Sequence, residues 1–96
     1  MNLPKTLIVA GHTITIKYKK KIFFEGKEVW AFYDDDHHII YLTMGMDKTR
    51  KMEVFLHECI HAISFIHSLH LSEKSVNLLG IELLALIRNN NIRLKK

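Results

Sequence analysis

The sequence predicts an α+β fold, in which a small antiparallel sheet of three or four strands is followed by two antiparallel helices. The first half of the chain alternates apolar and polar side chains and is rich in β-branched and aromatic residues, as strands are. After Gly45 the apolar residues follow helical spacing instead. With 96 residues, 48% of them hydrophobic and 25% charged, the chain has the size and composition of one globular domain over residues 1–96.

Short polar segments divide the first half into strands. Gly11 and Gly26 each lie between two β-rich runs and indicate hairpin turns. Three aspartates and a histidine at residues 34–37 then turn the chain into a last strand. The β-rich runs cover residues 6–10, 13–18, 22–24, 28–33 and 38–43, and three or four antiparallel strands are expected from them.

Capping residues mark the starts of the two predicted helices. Asp47 or Thr49 can cap the first helix, which is expected to run to about His67. Ser72, with Glu73 in the first turn, opens the second helix, which ends at a run of three asparagines. Its helical apolar stripe consists of Val76, Leu79, Leu83, Leu86 and Ile87.

The first helix carries the sequence His57-Glu58-Cys59-Ile60-His61, an H-E-x-x-H motif inside an otherwise apolar stretch. Four residues make about one helical turn, so both imidazoles project from one face and can bind one zinc ion. Buried histidines and a buried glutamate are costly without a partner, and a metal ion supplies one. The motif therefore predicts a metal site with a carboxylate beside it.

The order of strands, motif helix and backing helix resembles that of the zincin-type peptidases. More narrowly, it is similar to the minimal gluzins, to the very small zincins of phages and prophages, and to the core of the SprT and ImmA/IrrE groups. The resemblance covers roughly residues 28–90. Its specific part is the pentapeptide with its flanking Leu56 and Ala62, followed by Leu71-Ser72-Glu73.

This resemblance implies a hydrolase, a zinc-dependent metallopeptidase that cleaves peptide bonds of a peptide or protein substrate. His57 and His61 would be the zinc (Zn2+) ligands, and Glu58 the general base. The glutamate would take a proton from the metal-activated water and pass it to the leaving amine. Zinc is the implied cofactor.

Two glutamates are candidates for the third zinc ligand. Glu73 matches the Leu-Ser-Glu that opens the backing helix in the small phage proteins. Glu82 fits the gluzin arrangement, in which a glutamate comes from the middle of an antiparallel helix. Neither residue lies at the centre of the apolar stripe, so the sequence leaves both open.

His67 follows His61 by six residues, which is the metzincin interval. That family has a glycine where Ser64 stands and a later methionine turn, and this chain has no methionine after Met52. On an unbroken helix, six residues rotate His67 by roughly 240° from His61. His67 is therefore predicted to lie at the helix end.

Zincins commonly hold an extended substrate by the backbone of an edge strand, and the strand over residues 38–43 is predicted to play that part. Tyr41 and either His37 or His38 are weaker candidates for assisting the oxyanion. Trp30 is predicted to be a packed residue.

The net charge of +4 arises mainly from two basic clusters. One comprises Lys17, Lys19, Lys20 and Lys21, and the other comprises Arg88, Arg93, Lys95 and Lys96. Solvated loops and tails have this composition, and no stacking aromatics are interleaved with the basic residues in a nucleic-acid-binding pattern, so nucleic acid is not the favoured partner. The alternative hypothesis is a non-catalytic, metal-stabilised module that binds a host protein or nucleic acid.

The remaining features favour the cytoplasm of a bacterial or phage-infected host cell. The single cysteine, Cys59, is expected to pack in the core and has no partner for an intramolecular disulfide. The first ten residues lack the features of a signal peptide, and no stretch reaches the roughly 18 apolar residues of a spanning helix, so no membrane association is predicted.

Overall fold

A computed structural model describes residues 3–92 and has the α+β architecture that the sequence predicts. Six strands precede two helices. They are β1 (Thr6–Val9), β2 (His12–Lys19), β3 (Ile22–Phe24), β4 (Lys27–Val29), β5 (Ala31–Asp34), β6 (Ile39–Thr43), α1 (Lys48–Ile66) and α2 (Glu73–Asn89). Four strands form a sheet in the order β1-β2-β6-β5, and β3 and β4 form a separate hairpin.

The four-stranded sheet is mixed, so the prediction of an antiparallel sheet is wrong in one pairing. β1 and β2 form the predicted antiparallel hairpin, and β5 is antiparallel to β6. β2 and β6 are parallel, with Ile16 opposite Ile40. Three strands intervene between them in sequence, and this is enough chain for the crossover that a parallel pair requires.

The predicted strand over residues 28–33 is interrupted at Trp30. The carbonyl of Trp30 accepts hydrogen bonds from the backbone N–H of Thr43 at 2.9 Å and from the Thr43 hydroxyl at 2.8 Å. The chain thus leaves the β3–β4 hairpin and joins β6 at this residue. The Trp30 side chain is 51% exposed, with the Arg50 guanidinium 5.2 Å from its ring, so the prediction that it is packed is wrong.

β6 lies inside the sheet, between β2 and β5, so the prediction that residues 38–43 form an edge strand is also wrong. A strand beside the motif helix is an edge strand only if its outer side is unpaired. Here β5 pairs with the outer side of β6. The edge on this side is therefore β5.

The core lies between one face of the sheet and α1. Its fully buried members include Ile14, Ile40, Leu42 and Ala62, and Tyr33 joins them from β5. Because strand residues alternate between faces, the neighbours of these residues in sequence project from the other face of the sheet. The motif helix is thus fixed against the strands by its apolar side.

α2 packs on α1 through Val76, Gly80 and Leu84, which are buried and follow one another at helical spacing. Other apolar residues of α2 are exposed, among them Leu78, Leu79, Ile81, Leu83 and Leu86. In the described part of the chain, neither helix has the length and apolar character needed to cross a membrane.

The predicted helix caps are resolved by the structure. The side chain of Asp47, rather than that of Thr49, accepts a hydrogen bond from the backbone N–H of Arg50 at 2.8 Å and caps α1. Ser72 caps α2 by accepting from the backbone N–H of Ser75 at 3.1 Å. His67 is the C-cap of α1, which confirms its predicted position at the helix end.

Candidate metal centre

Three side chains from the two helices converge on one point. The Nε2 atoms of His57 and His61 are 3.1 Å apart. The carboxylate of Glu73 is 2.7 Å from His57 Nε2 through Oε1 and 3.1 Å from His61 Nε2 through Oε2. The two histidines are one turn apart on α1, so their rings face the same side of that helix.

The loop between the helices positions Glu73. Ser64, a buried residue two positions before the end of α1, accepts a hydrogen bond from the backbone N–H of Leu71 through its Oγ at 3.0 Å. Its carbonyl accepts another from the N–H of Leu69 at 2.9 Å. Both bonds fold the loop back onto α1, so that Glu73, as the first residue of α2, begins beside the histidines.

The close approach of α1 and α2 is the second feature that places Glu73 beside the histidines. Gly80 lies seven residues after Glu73, which is close to two helical turns, so both face α1. A methyl group at Gly80 would lie 3.9 Å from the Cα of His57 and 3.7 Å from Cδ1 of Ile60. The absence of a larger side chain lets α2 approach the motif turn of α1.

The structure brings Glu73 to the histidines and places Glu82 elsewhere. Glu82 follows Glu73 by nine residues, which is about two and a half turns, and so projects from the opposite side of α2. It is exposed in a shallow groove with Leu79, Leu83 and Leu86. Of the two candidates for the third ligand, only Glu73 is near the site.

The donor set fits a zinc ion. Zinc binds histidine nitrogens and carboxylate oxygens at about 2.0–2.2 Å, and two such ligands at a tetrahedral angle are then about 3.3 Å apart. The separations of 2.7–3.1 Å between the donor atoms are slightly shorter than this value. A cation therefore requires only a small outward adjustment, which the 65% exposed side chain of Glu73 permits.

Glu58 is buried beside these residues, with 8% of its surface exposed. Burial, followed by the nearby Glu73 carboxylate, raises the pKa of Glu58 to about 7, while a hydrogen bond from the backbone N–H of Tyr33 acts in the opposite direction. A cation between the histidines would also lower this pKa. Without a cation, the pKa of Glu58 is therefore near neutral pH, where its carboxyl group can exchange a proton.

Burial also lowers the pKa of His61, although Glu73 partly offsets the effect. A lowered pKa favours the neutral imidazole, which is the form that binds metals. Between the two histidines, Cys59 packs against the core, and burial raises the pKa of its thiol to about 12. Its predicted structural role is confirmed, and a thiol with that pKa does not supply a thiolate ligand at neutral pH.

The three residues open into a cleft of about 1100 Å³ that is bounded by β5, α1, α2 and the β3–β4 hairpin. The sequence analysis missed the residues that β5 and the hairpin contribute to it. They are Phe24, Val29, Ala31, Phe32 and Tyr33 together with Trp30. Their aromatic and β-branched composition predicts strands, but nothing in it distinguishes a core position from a cleft position.

The weaker oxyanion candidates are engaged elsewhere. His37 Nδ1 is 2.9 Å from the Asp34 carboxylate. His38 Nδ1 is 3.0 Å from the Tyr33 hydroxyl, and the Lys19 ammonium lies 4.5 Å from the centre of the Tyr41 ring. Within the described residues, none of these three candidates lines the cleft.

The first basic cluster also lies outside the cleft. Lys17 and Lys19 alternate with Ile16, whose side chain is in the core, so they project from the sheet face opposite the helices. Lys20 and Lys21 follow in the exposed turn. Of the second cluster, Arg88 is exposed on α2, whereas Arg93, Lys95 and Lys96 lie outside the described residues.

Comparison with known proteins adds no relative: no family model, no curated protein and no solved structure matches this chain. The site's geometry and chemistry are therefore the basis for a functional proposal.

Proposed function

We propose that this protein is a zinc-dependent metallopeptidase. The observation that carries the proposal is the convergence of His57, His61 and Glu73 within 3.1 Å of one another, with Glu58 buried beside them. Two imidazoles and one carboxylate are the protein ligands of the catalytic zinc in several peptidases, where a further position stays open for water or substrate. Glu82 is not part of this ligand set.

The roles of the side chains follow from their positions. His57, His61 and Glu73 would hold the zinc ion. When bound, zinc supplies Lewis acidity and lowers the pKa of a water molecule to about 7. The Glu58 carboxylate would accept a proton from the attacking water and deliver it to the leaving amine, which requires a pKa near the working pH.

The outer edge of β5 offers a backbone for binding a peptide. Thr43 donates to the carbonyl of Trp30, so the alternating hydrogen-bonded pairs of β5 and β6 place the backbone groups of Ala31 and Tyr33 on the outer side. No other strand of residues 3–92 pairs with that side. The N–H of Tyr33 donates to the Glu58 carboxylate, so an extended peptide could pair with Ala31 and with the carbonyl of Tyr33, next to Glu58.

The decisive experiment combines zinc titration with peptide cleavage. The wild-type chain is expected to bind one zinc ion and to cleave unstructured peptides only in its presence. Glu58→Gln should retain zinc and lose about 10²–10⁴-fold in kcat, because the proton acceptor is removed. Glu82→Gln, on the opposite side of α2, is the matched control and should behave as wild type.

Two results would count against a peptidase. Failure to bind zinc stoichiometrically would remove the site, and zinc-dependent cleavage that survives Glu58→Gln would remove the proposed base. Zinc binding without any cleavage would favour the alternative, a metal-stabilised module that binds a host protein or nucleic acid. In that case substitution of Lys17, Lys19, Lys20 and Lys21 should abolish binding of the partner.

The half-buried thiol of Cys59 fits a reducing cytoplasm of a bacterial or phage-infected cell.

A further inference from the structure

Phe24 and Phe32 form an aromatic wall on one side of the cleft, and neither residue is a candidate metal ligand. The rings of Phe24 and Phe32 are stacked with their centres 4.9 Å apart and their planes 30° from parallel. Phe24 is 44% exposed, and it lines the cleft together with Val29 and Trp30. Exposed aromatic side chains that cluster in a cleft commonly mark a binding surface.

The register of β5 places this wall next to any strand that pairs with its outer edge. Ala31 and Tyr33 contribute to the core between sheet and helices, so Phe32 projects from the opposite face. On an added strand, the residue directly across from Phe32 would project to that same face, with Cβ atoms about 5 Å apart. Its side chain would therefore contact Phe32 and its stacked neighbour, Phe24.

The aspartates and glutamates that line the cleft are distinct from the aromatic wall. The lining of the cleft includes four carboxylates, those of Asp35, Glu53, Glu58 and Glu73. No lysine or arginine within residues 3–92 lines it, although the whole chain carries a net charge of +4. Glu58 and Glu73 belong to the metal centre beside the helices. Phe32 lies on the opposite sheet face, in a row with Tyr41 and Lys17, so those two carboxylates do not determine the charge beside it.

We propose that the cleft selects extended peptides by one bulky apolar side chain that packs on Phe24 and Phe32. This inference rests on the proposed function, because it names the substrate class of the same site. The occupant is an extended peptide segment with a bulky apolar side chain, and the outer edge of β5 supplies its register through Ala31 and the carbonyl of Tyr33.

The test uses zinc-loaded full-length protein and a peptide set in which one position is Phe, Leu, Ala, Lys or Asp. The ratio of kcat/KM for Phe over Ala is expected to be about 10 or more. Phe24→Ser should lower this Phe/Ala ratio about tenfold, whereas Phe24→Leu should retain most of it. Phe23→Ser is the matched control, because Phe23 is on the same strand, is 64% exposed and does not line the cleft.

Binding of the same peptides to zinc-loaded Glu58→Gln separates this inference from the proposed function. Selective binding that Phe24→Ser removes, without cleavage by wild type, would support the aromatic wall and contradict a peptidase. Cleavage with equal Phe/Ala ratios in wild type and Phe24→Ser would support a peptidase and overturn the aromatic wall, as would a preference for Asp. Absence of both binding and cleavage would overturn both proposals.

Discussion

The first turn of α2 and its middle turns present two glutamates to different surroundings. Glu73 faces α1, where its carboxylate meets His57 and His61. Glu82 faces away from α1, beside exposed leucines such as Leu83. Both belong to one rigid helix, so the direction in which α2 turns its buried face decides which glutamate meets the histidines.

This difference shows why helical phase matters for a site shared by two helices. Glu73 is in line with Val76 and Gly80, the residues through which α2 packs on α1. In the sequence, apolar residues occur on several sides of α2, so its buried face is not defined by hydrophobicity alone. Small changes along the α1–α2 contact should therefore affect the metal site more than changes on the outer face of α2.

The largest expected effect comes from comparing Glu73→Gln with Glu82→Gln. Loss of a carboxylate ligand should weaken zinc binding at least about 100-fold, since removal of even an indirect partner of a metal ligand costs 10–100-fold. Glu82→Gln should leave the affinity unchanged. Competition with a chromophoric chelator measures both dissociation constants.

Thermal unfolding gives a second readout for the same pair of variants. Zinc at 100 times its dissociation constant stabilises a folded protein by about 2.7 kcal/mol. This stabilisation should raise the Tm of wild type and of Glu82→Gln. The Tm of Glu73→Gln should not rise at the same zinc concentration. Equal zinc affinities in the two variants would contradict the assignment of Glu73 as a ligand.

An intermediate effect is expected when the loop that carries Glu73 is released. Ser64→Ala removes the acceptor for the N–H of Leu71, and the loss of this partly buried hydrogen bond should cost about 0.5–1.5 kcal/mol of unfolding free energy. The freer loop should also weaken zinc binding, by about tenfold. Urea unfolding and zinc titration measure the two effects, with the exposed Ser68→Ala as control.

If Ser64→Ala destabilises the protein but leaves the zinc affinity of the folded state unaltered, the serine has a structural role only. If Ser68→Ala weakens zinc binding as much as Ser64→Ala does, the Ser64–Leu71 hydrogen bond has no specific role in positioning Glu73.

The smallest effect should come from Gly80→Ala. The new methyl group would make ordinary contacts with Ile60 and His57, at 3.7 and 3.9 Å. Alanine is a better helix former than glycine, by about 0.8–1.0 kcal/mol. The free energy of unfolding should therefore rise by up to that amount, with zinc affinity unchanged.

Gly80→Leu provides the contrasting variant, because its larger side chain requires α2 to move away from α1 and should weaken zinc binding. A several-fold loss of zinc affinity in Gly80→Ala would contradict the expectation that the new methyl group makes only ordinary contacts with Ile60 and His57. Denaturant titration and zinc competition distinguish the two outcomes.

Several features of the fold are predictable because their causes are local. Alternation of side chains predicts the β1–β2 hairpin around Gly11. Side-chain oxygens just before helical runs predict the caps at Asp47 and Ser72. The rotation per residue of a helix places His67 at the end of α1 instead of beside the metal site.

Features that depend on distant contacts were predicted less well. The parallel pairing of β2 with β6 and the central position of β6 depend on where the chain returns after the β3–β4 hairpin. The exposure of Trp30 accompanies its position between the β3–β4 hairpin and β5, where its carbonyl accepts from Thr43. Strand propensity contains no information about partners that are far away in sequence.

The sequence by itself determined that two histidines lie one helical turn apart with a glutamate between them, because covalent spacing and helix geometry are sufficient for that. Only the tertiary structure decided that Glu73 joins them, that Glu82 does not, and that β5 borders the cleft. The physical reason is that these relations join separate elements, whose mutual rotation and order are set by packing and hydrogen bonding across the whole domain.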